Sequence, residues 1–209
     1  MEGTDPVNKK LAAALSGGAV LVVALTGCSS GSKGTDPKLI AWAKNVCDAV
    51  PTQDAKIKAA NAAIAQTASD TTSSPATIQK TDSQAFQDMS DGYKALAAAI
   101  SGAGAPPGVD DGAKRQQDVV KNLDSLSASY ADLKKKVDAL DTKDQAKFAS
   151  GLHDVASQMA NLETQNKSGT AALQALEQGE VKDAIAEQAS CKKVATTATS
   201  AASGSSTAG

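Results

Sequence analysis

The chain has 209 residues, 21 Lys+Arg against 23 Asp+Glu, and a formal net charge of -2. That length suits one core of ordinary size, and a near-neutral charge excludes a strongly basic nucleic-acid binder. Five aromatics (Trp42, Phe86, Tyr93, Tyr130, Phe148), one histidine (His153) and three cysteines leave no set for a His/Cys zinc cluster, so no metal is expected.

Lys9 and Lys10 precede an apolar run from Leu11 to Leu25, broken only by Ser16, Gly17 and Gly18. At about 15 residues the run is short for a spanning helix, which needs about 20; it has the form of a secretory signal peptide. It ends in Leu25-Thr26-Gly27-Cys28. This resembles the bacterial lipobox: an aliphatic residue, two small residues, then cysteine. The resemblance implies a signal peptide over 1–27, cleavage after Gly27, and a diacylglyceryl group on the Cys28 thiol. The competing reading is an ordinary secretory signal with a chance cysteine. Two or more acyl chains on one residue anchor stably, so the chain from Cys28 onward is expected outside the cell, tethered to the outer face of the cytoplasmic membrane. Glu2 and Asp5 offset the two lysines; a start at Val7 gives a cleaner signal.

Residues 28–36 read as a lipidated tether, with Ser29 to Thr35 rich in Ser and Gly. Residues 37–193 read as an all-α, antiparallel four- to five-helix bundle. Strand alternation is absent, and alanine is about a fifth of the chain. Stripe residues step by three and four: Leu39, Ala43, Val46, Val50, Gln53, Ile57, Ala60, Ile64; then Phe86, Met89, Tyr93, Leu96, Ile100; then Val119, Leu123, Leu126, Tyr130, Leu133, Val137, Leu140; then Phe148, Leu152, Val155, Met159, Leu162, Asn166, Gly169, Leu173, Leu176; and a shorter run with Val181 and Ile185. That is one residue per turn on a single stripe.

The predicted helices are 37–68, 82–102, 109–140, 142–178 and 180–193. Asp36-Pro37 reads as an N-cap with Pro at the first helical position. Thr81-x-x-Gln84 and Thr142-x-x-Gln145 read as capping boxes, and Gly179 as a helix-ending glycine. Pro51 is expected to interrupt the first helix. A break is expected near Asn166 to Gly169, where the stripe turns polar and bare. Residues 194–209, with no charge after Lys193, read as a disordered tail.

Once Cys28 is spent on lipid, Cys47 and Cys191 remain as an even pair, and an exported chain is expected to join them. The competing reading is two thiols. Among possible sites of chemistry, His153 lacks a second ligand or a nucleophile and reads as solvated. Asp110-Asp111 reads as helix capping rather than an acid–base pair. Lys134-Lys135-Lys136 reads as a solvated face, with Asp132 paired to Lys136 and Lys134 to Asp138. No P-loop, dinucleotide fingerprint or nucleophile motif is present, so no catalytic residue and no cofactor is expected. Two readings of Asn166 stand: a buried register-fixing amide, or the lining of a polar pocket with Gly169. Trp42 reads as a cover over the Cys47–Cys191 region, or as part of an exposed interface.

The lipobox, Trp42 and Cys47 five apart, the run Ser127-Ala-Ser-Tyr130-Ala-Asp-Leu-Lys-Lys-Lys-Val137-Asp-Ala-Leu-Asp-Thr-Lys-Asp-Gln-Ala-Lys-Phe148, and the late Cys191 together resemble the small secreted lipoproteins of Streptomyces and related actinobacteria. The resemblance spans most of residues 7 to 193. It implies an envelope location and carries over no catalytic residue; the tail is longer than is usual there. The expected function is a non-catalytic binding or structural role at the cell envelope, with a protein or cell-wall partner and no nucleic acid. The alternative is a carrier of a small apolar or lipid ligand held between helices, against which closely packing Ala-rich seams weigh. A transporter-feeding solute-binding protein or an enzyme fits the pattern poorly.

Overall fold

The computed structural model describes residues 35–194. The signal sequence with Leu25, Thr26 and Gly27, the lipid-site Cys28 with the tether to 34, and the tail 195–209 lie outside the described residues. The chain is an all-α helical bundle of α1 (Pro37–Ser69), α2 (Pro75–Ala103), α3 (Gly112–Asp138), α4 (Gln145–Leu176) and the short α5 (Glu180–Glu187). A further helical stretch over 189–194 follows a single extended residue, Gln188 (φ -81, ψ 121). The helix predicted over 180–193 is therefore two pieces.

Short polar side chains cap α1, α2 and α4, and two of these starts differ from expectation. Asp36 Oδ1 accepts the Lys38 amide at 2.8 Å, as its N-cap position requires. Ser74, not Thr81, opens α2: its Oγ accepts the Thr77 amide at 3.2 Å, and Pro75 takes the first helical position. Thr81 and Gln84 thus lie inside a helix that begins seven residues before the predicted start. Asp144, not Thr142, caps α4; its Oδ1 accepts the Ala146 and Lys147 amides, each at 3.1 Å. Asp and Ser with an adjacent N1 proline or a two-amide grip outcompete the box pattern. Gly179 (φ 64) is the N-cap of α5 rather than the terminator of α4.

Neither expected interruption occurs. α1 runs through Pro51. An interior proline costs about 3 kcal/mol, but the helix is packed on both sides of it, through Val46 and Cys47 before and Ala60 and Ile64 after. Packing of an apolar face, not propensity, carries a helix past such a defect. α4 runs unbroken through Asn166 to Gly169, with Gly169 buried.

The helices sort into two compact units, each built from pieces of all four long helices. Unit 1 holds 55–94 and 124–167; unit 2 holds, among the described residues, 35–54, 95–123 and 168–194. In unit 1, Gln79 and Ser83 of α2 meet Val137 and Asp138 of α3, while Ser90 meets Ser127, so the two helices run antiparallel. α3 and α4 do the same, Lys136 bonding Gln158 and Ser129 bonding Gln165. The stripe residues fill the core: Phe86, Met89 and Val137 are fully buried, as are Val155 and Ile64 to within 2%. In unit 2 the core includes Leu39, Ala43 and Cys47 of α1, Leu96, Ala97 and Ile100 of α2, Val119 and Leu123 of α3, Leu176 of α4, and Val181, Ala184 and Ile185 of α5.

Helix C-termini leave carbonyls without intrahelical partners. Here side chains from neighbouring helices take them. Gln79 Nε2 donates to the carbonyls of Val137 (2.9 Å), Asp138 and Leu140 at the end of α3. Gln116 Nε2 donates to Ile100 at the end of α2, 2.8 Å, and Arg115 Nη1 to Ala175 at the end of α4, 3.2 Å.

Candidate functional site

Two polar constellations are built into the units. In unit 2, Cys47 of α1 is joined to Cys191, Cα–Cα 5.2 Å, across 144 residues of sequence. Cys47 is fully buried and Cys191 is half-buried. The residues beside the two sulfurs are also joined, Ser190 Oγ donating to Asp48 Oδ1 at 2.8 Å. Lys44, one turn earlier on α1, grips the other carboxylate oxygen. The Lys44 hydrogen bond first, then that of Ser190, holds the Asp48 carboxyl below its ordinary range. Trp42 is buried at 3% exposure, and its indole N–H donates to the Gly104 carbonyl at 2.8 Å. Gly104 follows α2 with φ 73, a backbone that favours glycine and turns this carbonyl toward the indole. Trp42 is thus an anchor for the loop after α2, and the exposed-interface reading of it fails.

In unit 1, Tyr130 is the hub. Its ring lies parallel to Tyr93, centroids 5.5 Å apart and 4° between planes, and beside Phe86 at 6.3 Å. Burial pushes the Tyr130 hydroxyl pKa up, while hydrogen bonds from the Asn166 and Tyr93 side chains act the other way. Asn166 is half-buried. Its place on the stripe therefore marks a polar partner for a tyrosine in the facing helix. One turn along α2, Ser90 Oγ donates to the Ser127 carbonyl at 2.9 Å, with both serines buried. Each such bond selects one helix register, because a shift leaves a buried polar group without a partner.

Two carboxyls were not legible as sites. Asp82 of α2 is 2% exposed; its Oδ1 has no hydrogen-bond partner, and burial raises its pKa from 3.8 to about 7. Its signal was spacing: it lies four residues before Phe86 on the α2 stripe. With the helix start predicted at 82, it looked like a terminal residue. Glu177, half-buried after α4, is likewise raised from 4.5 to about 7 by burial. An open groove of about 780 Å³ in unit 1 runs between α1 and α2, with Ala59, Ala60, Ala63, Ala76 and Ala85 as its apolar wall and Lys80, Gln84 and Asp88 among its polar lining.

The remaining candidates are dispersed. His153 is exposed on α4. Asp111 is exposed with φ 56 at the start of α3 and accepts the Arg115 amide through its backbone carbonyl, 3.0 Å. Neither Asp110 nor Asp111 caps α3 with its side chain; the left-handed turn at Asp111 places the backbone there instead. Lys134 pairs with Asp138 at 2.6 Å, as expected. Asp132 pairs with Lys135 at 2.9 Å, not Lys136, which reaches across to Gln158 of α4. Met89 and Met159 are core. Among the described residues no group of three His, Cys, Asp or Glu side chains could hold a metal ion, and no helix is long and apolar enough to cross a membrane. No protein-family model, curated protein or solved structure matches the chain.

Proposed function

We propose that the protein is a lipid-anchored, extracytoplasmic helical bundle with a non-catalytic binding or structural role at the cell envelope, held to the outer face of the cytoplasmic membrane through Cys28. The observation that carries this reading is the N-terminal sequence: Lys9-Lys10, the apolar run to Leu25, and Leu25-Thr26-Gly27-Cys28 in unbroken succession. Its similarity to the small secreted lipoproteins of actinobacteria points the same way. The pairing of Cys47 with Cys191 supports it, since such bonds persist in oxidising compartments. The partner is an envelope protein or the cell wall.

The test is metabolic labelling with palmitate in a bacterial host, comparing the native chain with Cys28→Ser. Label on the native chain alone, partitioning with the membrane fraction, supports the reading; an unlabelled chain in the cytosolic extract overturns it. The alanine-walled groove favours one second reading, the carriage of an apolar or lipid ligand. Native mass spectrometry of the protein from its own host separates the two: bound lipid supports carriage, and crosslinked envelope neighbours support docking.

A further inference from the structure

The last described stretch of the chain is attached in an unusual way. α5 has a buried face of its own, Val181, Ala184 and Ile185. Beyond it the helix stops at Gln188, whose backbone is extended, and resumes over 189–194. No residue from 188 to 194 is buried. A helical segment without a buried apolar face is not held by the hydrophobic effect. Among the contacts of this segment, the Cys191–Cys47 bond and, one residue earlier, the Ser190 hydroxyl on the Asp48 carboxylate join it to α1.

The two cysteines are not equally exposed. Cys47 is fully enclosed in the core of unit 2, whereas Cys191 is half-buried on the outer segment. A thiolate attacks a disulfide at the sulfur it can reach. We propose that Cys47–Cys191 is a clasp, opened by an external low-molecular-weight thiol at Cys191, that fastens residues 188–194 to α1 and releases them while the helices stay folded.

In the opening step the external thiolate forms a new S–S bond to Cys191 Sγ. The Cys47–Cys191 bond breaks, and Cys47 leaves as a thiolate that takes a proton from water. A second external thiol attacks the mixed disulfide, leaving Cys191 as a thiol and the two external thiols joined to each other. Two electrons pass to the protein and two external thiols are oxidised. Gln188 then serves as the hinge, because its neighbours on the α5 side remain packed. The proposal rests on this bond alone and stands whether or not Cys28 is lipidated.

The experiment uses the oxidised full chain at 25 °C with glutathione as the thiol. Peptide mapping locates the first mixed disulfide on Cys47 or on Cys191, and hydrogen exchange follows the backbone before and after full reduction. The expected result is the adduct on Cys191, with exchange over 188–194 rising at least about tenfold and the helical circular dichroism at 25 °C unchanged. A Ser190→Ala chain, which lacks the hydroxyl on Asp48, is expected to react about threefold faster. A first adduct on Cys47 overturns the proposal. So does loss of the helical signal at 25 °C, which makes the bond a staple of the core, and so does unchanged exchange over 188–194.

Discussion

The two units use the same four helices and hold them by different chemistry. Unit 1 contains four of the five aromatics and joins its helices through rings and neutral hydrogen bonds: Phe86, Tyr93 and Tyr130 in one cluster, Asn166 on Tyr130, Ser90 on Ser127. Unit 2 has one aromatic, Trp42, and adds a covalent bond, while side chains grip backbone carbonyls in both units, Gln79 in unit 1 and Trp42, Arg115 and Gln116 in unit 2. An alanine-rich interior buries little area per residue. The comparison shows two ways to compensate: concentrate the few large side chains, as in unit 1, or reduce the freedom of the unfolded chain, as in unit 2.

Removing the covalent device gives the largest effect expected. Closing a loop of 144 residues contributes roughly 5 kcal/mol in the chain-entropy model. For a chain of this size that converts to a fall in Tm of about 10–15 °C. Cys47→Ala and Cys191→Ala are each expected to show it by calorimetry, with the bundle still helical at 25 °C by circular dichroism. A fall of a degree or two would mean that unit 2 has noncovalent support equal to that of unit 1.

The next effect has the opposite sign and lies in unit 1. Asp82 is enclosed without a partner for Oδ1, and its pKa stands at about 7 rather than 3.8. The folded state therefore keeps its proton longer than the unfolded state does. Its contribution is most favourable below about pH 4, declines as pH rises through the interval to about 7, and is flat above. Asp82→Asn is expected to remove that slope and to stabilise the protein at pH 8 by about 2–4 kcal/mol. Urea titrations at pH 4, 6 and 8 check it; parallel curves for native and variant chains would place a counter-charge beside Asp82. Glu177 shares the direction but is half-buried, so Glu177→Gln is expected to change stability less.

The stripes were the legible part of this molecule. From Phe86 to Ile100, Val119 to Val137 and Phe148 to Leu162, the apolar residues stepping by three and four are buried, whereas Val50, Gln53, Ile57, Leu140, Asn166 and Leu173 on the same stripes are half-buried. Periodicity reports the face a helix turns inward, and that is set by residue type alone. Ends and breaks were less legible. Ser74 and Thr81, or Asp144 and Thr142, compete for the same cap, and only the geometry of the turn decides. Pro51 and Asn166 looked like defects because their remedies, packing on both sides and a tyrosine hydroxyl on α3, come from elsewhere in the chain. Gln79, Gln116 and Arg115 look like ordinary surface residues in sequence, and their role at the ends of other helices appears only when those ends are brought to them. Asp82 could have been found, since it is the one charged residue in phase with the buried stripe of α2, once that helix is started at Pro75.

A paired substitution sharpens the comparison at the level of single hydrogen bonds. Tyr130→Phe keeps the ring and removes the hydroxyl that the Asn166 and Tyr93 side chains bond. Two polar groups in the interior of unit 1 lose a partner, and the expected cost is about 2 kcal/mol. Trp42→Phe removes one indole N–H from the Gly104 carbonyl. That carbonyl belongs to a loop that can turn it to water, so the expected loss is about 1 kcal/mol plus the smaller ring. Equal losses, read from urea midpoints at constant slope, would mean that the loop after α2 is as rigid as the interior of unit 1.

The smallest effect tests how tightly unit 1 closes at a turn. Gly151 on α4 lies under Leu140, and a Cβ added there would stand 2.3 Å from Leu140 Cδ2. That separation demands movement, but the atom is the far end of a flexible side chain in a half-buried position. Leu140 can change rotamer at a cost of about 1 kcal/mol. Replacing glycine by alanine inside a helix returns about the same amount. Gly151→Ala is therefore expected to leave stability within about 0.5 kcal/mol of the native chain, read as an unchanged urea midpoint. A loss of about 2 kcal/mol would show that Leu140 cannot yield, because the three carbonyls gripped by Gln79, two at the end of α3 and one just after it, fix the whole turn from Val137 to Leu140.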